Sequence, residues 1–413
     1  MAKGSFLLFL PLVIFSFFTS ASSLSMSKSD FAALREIRNS LTEIPSAAAT
    51  RFFSSWDFSA ADDPCTSFAG VTCFSSRVTI LSLGTGLSDS PGLAGTLSPA
   101  IAKLTELNQL ILFSGIVTGP IPFRLGSLHN LRVISLTRNR LTEDIPAAIF
   151  NLPNLHTLDL SHNQLSGRIP PAVPGLNQLK VLILSHNKLL GNLPSSFWDQ
   201  LLHLDLSNNY LTGTLPEQMP SGLRYLSLSN NHIWGQIDGL ESLSELAYLD
   251  LSMNRFSGAI PTYLFRPCIT SMLLQRNNLS GGVPQSPPWS YGEGSTVDLS
   301  HNFLTGEITP ALIGVETLFL NNNRLNGQVP EEYVQSVKAG TMKTLYLQHN
   351  YITGFPMEEG YVLPETTAVC ISYNCMAAPP LGMAACPASA GYQLSRPAYQ
   401  CAASHNRTSS TLD

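Results

Sequence analysis

Apolar and polar positions alternate along this chain on a beat that keeps returning. One copy reads LxxLxLxxNxLxGxIP, set out by Leu155, Leu158, Leu160, Asn163, Leu165, Gly167, Ile169 and Pro170. The asparagine recurs at Asn139, Asn163, Asn187, Asn209, Asn231, Asn254, Asn277, Asn302, Asn323, Asn350 and Asn374, spaced by 21 to 27 residues, with Gly115 in the first such position. In each LxL segment leucines alternate with polar residues, which predicts a short strand with one buried and one wet face. So many copies in register predict one strand per coil and a parallel sheet built by stacking the coils. The asparagine stands where the chain leaves the strand. Its amide can bond backbone groups that the turn leaves unpaired, so the asparagines should form a ladder. Further on, pairs such as Ile121-Pro122, Ile145-Pro146, Ile169-Pro170 and Ile260-Pro261 close the coil's inner core, the proline sparing an N–H that has no ladder partner.

A stack of coils exposes apolar faces at both ends, and the sequence supplies covers for them. Ser29 to Leu41 has helical spacing of apolar residues and is followed by Trp56, Cys65 and Cys73; Cys370, Cys375, Cys386 and Cys401 follow the last repeat. Ahead of all this, Lys3, the apolar run Phe6 to Phe18 and the small residues Thr19 to Ser23 read as a secretory signal. A secreted chain can oxidise its thiols, so disulfides should staple both ends. Cys65 with Cys73 is the natural N-terminal pair, while the four C-terminal cysteines allow three connectivities. Cys268 is left over and is expected to be a buried, inert thiol. No stretch beyond the signal reaches the roughly 18 apolar residues of a membrane span, so none is expected in the mature chain.

Charge narrows the partners. Charged residues make up 12% of the chain and the net charge is −5, with no Lys/Arg cluster, which argues against nucleic acid.

The N-terminal segment and the IP-bearing repeats resemble the plant extracellular leucine-rich-repeat family, its receptor-like and polygalacturonase-inhibitor-like members without a kinase. The resemblance spans residues 27 to about 401. It implies an α/β fold: a right-handed solenoid of about 11–12 repeats with a parallel concave sheet and disulfide-stapled caps. The expected organisation is a signal peptide at 1–24, a cap at 25–80, repeats at 81–369, a cysteine-rich cap at 370–401 and a tail at 402–413. Phe68 stands in the usual cap tryptophan position, Glu143 replaces a repeat glycine, and Ile237-Asp238 and Ile308-Thr309 replace IP.

Function should sit on the exposed positions that flank the LxL leucines. The candidate ligand-binding residues there are Arg138, His162, His186, His203, Tyr225, Tyr248, Arg276, Phe319 and Tyr346, with Phe113, Met253, His301 and His349 beside them. Aromatics and arginines anchor interfaces, and tyrosine also stacks on sugars, so an extracellular protein, a peptide or a wall polysaccharide all fit. A membrane receptor kinase is a further possible partner, supplying the cytoplasmic part this chain lacks.

Three constellations invite other chemistry. Asp159, Asp205, Asp250 and Asp298 share a column in alternate repeats, roughly 10 Å apart. A glycosidase needs its two carboxylates about 5–9.5 Å apart beside a cleft, so catalysis is not expected. His162 and His186 are neighbours without a third metal ligand in reach. Ser161, Ser185, Ser207, Ser229, Ser252 and Ser300 lack an assignable base and read as the repeat's wet edge. No catalytic residue, metal or cofactor is therefore expected. Two sequons, at Asn278 and Asn406, suit glycosylation in a secreted chain. The functional expectation is a secreted binding protein of the cell wall space, acting in signalling or defence. The alternative is an inhibitor of a secreted wall-degrading hydrolase, which should carry a basic stripe; Arg138 and Arg276 supply little of one. A structural wall component is weakened by the absence of low-complexity proline or glycine tracts.

Overall fold

A computed structural model of the chain describes residues 26–44, 51–60, 62–85, 92–171, 178–285, 291–358, 360–380 and 386–402. The expected signal at 1–24, the second sequon at Asn406 and all but the first residue of the 402–413 tail lie outside these residues.

Each coil gives one short strand to a 14-stranded sheet running from Val71–Phe74 to Ala368–Cys370. The first pair is an antiparallel hairpin, Val71–Phe74 against Arg77–Leu83, and the neighbours after it are parallel. Register sets leucine beside leucine, so Leu158, Leu182, Leu204, Leu226 and Leu249 form one fully buried row. Burying a leucine is worth roughly 1.5–3 kcal/mol, and every coil repeats that gain against its neighbours. On another side of the coils lie shorter sheets, such as Leu93–Thr96, Ile116–Pro120 and Arg140–Thr142. The isoleucines of the IP pairs point inward: Ile121, Ile145, Ile169 and Ile260 are buried. Pro122 and Pro146 stand at the N-cap of the 3-10 turns Phe123–Ser127 and Ala147–Asn151, where their missing N–H costs nothing.

The asparagine ladder forms as the pattern predicts. Asn163 Oδ1 accepts from Leu141 N at 3.0 Å, while its Nδ2 donates to Leu136 O of the preceding coil and Leu160 O of its own, at 2.7 and 3.1 Å. Asn374 repeats the set on Ile352 N, Leu347 O and Ile371 O. Each amide thus satisfies buried backbone groups of two coils at once.

Just before each ladder asparagine the backbone turns left-handed. Arg138, His162, His186, Asn208, Asn230, Met253, Arg276, His301, Asn322, His349 and Tyr373 all have φ between 52° and 59°. Asparagine and histidine tolerate that conformation better than most side chains, which accounts for seven of these eleven residues. The same bend corrects the reading of the serines. Ser161, Ser185, Ser207, Ser252 and Ser300 are buried, not a wet edge, because the turn folds the chain over them.

At the N-terminus the helix Lys28–Ser40 buries Ala33, Leu34 and Ile37. Its Asp30 is fully buried, accepts from Arg77 Nε and Nη2 at 3.1 Å each and from Val78 N at 2.8 Å, and so ties the helix to the first long strand. Phe68 takes the tryptophan position without loss of packing, lying 5.2 Å from Trp56 in a stacked pair. Cys65 and Cys73 are bonded to each other. Of the three C-terminal connectivities, the structure has Cys370–Cys386 and Cys375–Cys401. Cys268 is exposed and not buried as expected, because its Arg266–Cys268 turn leaves the coil's apolar interior to Phe265 and Ile269.

Candidate binding face

The register of the long sheet sorts the candidate residues into columns. His203, Tyr225 and Tyr248 are direct neighbours in the first column, in the order Val181, His203, Tyr225, Tyr248, Ser271. Phe319 and Tyr346 pair two columns over, where Asp298 precedes them. Arg138, His162, His186 and Arg276 stand in the left-handed column before the ladder. The candidates therefore make three separate groups along one face and do not converge on a pocket.

Strands about 4.8 Å apart hold their side chains near van der Waals contact, and the rings respond by lying flat on one another. His203 and Tyr225 have centroids 4.0 Å apart with planes 4° from parallel, and Tyr225 and Tyr248 follow at 4.3 Å and 2°. Both faces of Tyr225 are covered. What Tyr225 turns outward is ring edge with its hydroxyl, while Tyr248 is stacked on one side only and has Ser271 as its other strand neighbour. Burial, then Tyr248 and Asp205, raises the Tyr225 pKa, and burial, then Asp250, raises that of Tyr248; the two hydroxyls also hydrogen-bond to each other. Burial likewise lowers the His203 pKa, against the pull of Asp205 and Asp159.

His162 and His186 form a second stack, 4.1 Å apart and 10° from parallel. Asn230 donates to Asn208 Oδ1 at 2.8 Å, which leaves the Asn208 amide nitrogen to face His186 Nε2 at 3.3 Å. Burial, then His186 and Arg138, lower the His162 pKa. Phe319 and Tyr346 instead meet edge to face at 5.3 Å and 74°. Asn208 and Asn230 were not legible as members of this face; their position directly before a ladder asparagine is the signal that finds them.

The aspartate column is tied down. Asp159, Asp205, Asp250 and Asp298 each accept through Oδ1 from the backbone N–H of the serine two residues on, at 2.9–3.0 Å. Among the described residues no group of three His, Cys, Asp or Glu could hold a metal, and no helix is long and apolar enough to cross a membrane. Asn278 and Ser280 of the first sequon are both exposed, on either side of buried Leu279.

Comparison with known proteins agrees with this geometry. Residues 27–74 match the leucine rich repeat N-terminal domain, and 129–189 and 200–243 match leucine rich repeats. Receptor-like protein 35 of Arabidopsis thaliana is 39% identical over 143 residues, covering 33% of this chain and 14% of that protein. Protein MALE DISCOVERER 2 of Arabidopsis thaliana is 40% identical over 78 residues, covering 19% and 11%. The matches thus span a small part of these relatives' own length. Among solved structures, the plant peptide hormone receptor RGFR1 in complex with RGF2 superposes with a TM-score of 0.62 at 26% identity, over 68% of this chain and 50% of that one. A plant ice-binding protein shares the fold at a TM-score of 0.57 and 24% identity, over 80% and 97%. Cap, repeats and relatives agree: the chain carries a leucine-rich-repeat N-terminal domain and leucine-rich repeats, and it is similar to plant receptor-like proteins.

Proposed function

We propose that this chain is a secreted, non-catalytic binding protein of the cell wall space that recognises a polypeptide, a protein or peptide rather than a glycan, through the face of its long sheet. The stacked triplet His203, Tyr225 and Tyr248 carries the reading. A sugar ring binds an aromatic by lying on its face, and both faces of Tyr225 are already taken. Hydroxyl and imidazole edges in a row instead suit the amides and polar side chains of a polypeptide. A plant peptide hormone receptor solved in complex with RGF2, similar at 26% identity, supports the same reading, and a membrane receptor kinase acting beside this chain in signalling or defence fits it. Few cations stand on the face, Arg138 and Arg276 among them, which speaks against an inhibitor of pectin-degrading hydrolases.

In this reading residues 1–24 direct secretion, 25–80 and 370–401 cap the repeats at 81–369, and Asn278 carries a glycan. The test is direct. Immobilised mature protein is offered oligogalacturonides, cellulose oligosaccharides and the protein fraction of extracellular fluid, beside a Tyr225→Ala/Tyr248→Ala variant. The proposal expects binding to the protein fraction alone, lost in the variant; saturable binding to an oligosaccharide that the variant abolishes would overturn it.

A further inference from the structure

Away from the sheet's face, a groove of about 940 Å³ lies on the flank of the N-terminal coils, between the short second sheet and the 3-10 turns. Its wall is apolar: Leu97, Pro122, Phe123 and Pro146 line it, and Phe123 is 68% exposed. One rim carries Glu143 and Asp144, both exposed. Neither makes an ion pair among the described residues; Asp144 Oδ1 meets Ser166 Oγ at 3.5 Å. Arg124, the cation of the groove, sits with its guanidinium 5.7 Å from the Phe123 ring.

Glu143 occupies a backbone position that the other coils give to glycine. Gly119 and Gly167, one coil to either side, have φ of 80° and 71°, and Glu143 has 67°. A glutamate there costs about 1–2 kcal/mol relative to glycine. The strain falls on the residue that lines the groove.

We propose that this groove is a second docking site, taken by a short apolar segment of a partner protein with a lysine or arginine beside it. The apolar wall buries the hydrophobic side chains, and the Glu143 carboxylate receives the cation, that of Asp144 being shared with Ser166 Oγ. Charge complementarity selects this occupant over a purely apolar or an acidic one.

Capped hexapeptide amides with a Phe-Pro-Leu core, preceded by Arg, norleucine or Glu, test it by titration calorimetry on the whole chain. The Arg peptide should bind about tenfold tighter than the other two. Glu143→Gln should remove that preference and leave thermal stability unchanged, because the strain stays while the charge goes. Glu143→Gly should remove it too and raise the melting temperature, and Phe123→Ala should weaken all three peptides. Absence of binding, equal binding of the Arg and Glu peptides, or an Arg preference that survives Glu143→Gln would each overturn the proposal.

Discussion

The rings of Tyr225 and Tyr248 lie 4.3 Å apart and 2° from parallel, one on each of two adjacent strands. Strand spacing imposes that contact, and the contact decides which parts of the rings a partner can reach. The framework around it is open to test.

The ladder is the first. Asn209 Oδ1 accepts from Leu189 N, and its Nδ2 donates to Leu184 O and Leu206 O. Asn209→Ala strands these buried groups and should cost about 2–4 kcal/mol in denaturant unfolding. Asn208→Gly, one residue earlier and already left-handed, should change stability by less than about 1 kcal/mol.

The N-terminal cap hangs on Asp30. Asp30→Ala leaves Arg77 and the Val78 N–H without their buried acceptor, and should destabilise by about 3–5 kcal/mol. The exposed Lys103–Glu36 pair, at 2.7 Å, is the contrast: Glu36→Ala should cost no more than about 1 kcal/mol. Equal losses in urea melts would contradict this account of the cap.

Acid should weaken the fold through His203. Burial lowers its folded pKa below the ordinary histidine value of 6.5, so the folded state binds this proton less readily than the unfolded one. The stability it contributes is whole above about 6.5 and is lost as pH falls toward the folded pKa. His203→Phe keeps an aromatic in the stack and removes the titration. The melting temperature of the variant should therefore fall less between pH 7 and pH 5 than that of the wild type; an equal fall would assign the dependence elsewhere.

The leucine and asparagine positions were legible because period and alternation state which side chains must be buried, and the coil can satisfy them in one way. Tyr225 beside Tyr248 was legible for the same reason. How their rings lie was not, since that depends on strand spacing and ring thickness. The buried serines were missed where alternation was carried past the strand, into the bend at His162 and its equivalents. Cys268 was misplaced because composition favours a buried thiol, whereas its place on an outer turn decides the matter. Glu143 stood out by breaking the glycine column, but only the structure sets it on a groove.

The central claim is that hydroxyl edges, not ring faces, make the contact. The Tyr225→Phe/Tyr248→Phe double variant removes two oxygens and keeps the stack. Its affinity for the protein partner recovered from extracellular fluid, measured by titration calorimetry beside the wild type, should fall by about 1–3 kcal/mol. Undiminished affinity in the double variant would contradict the claim.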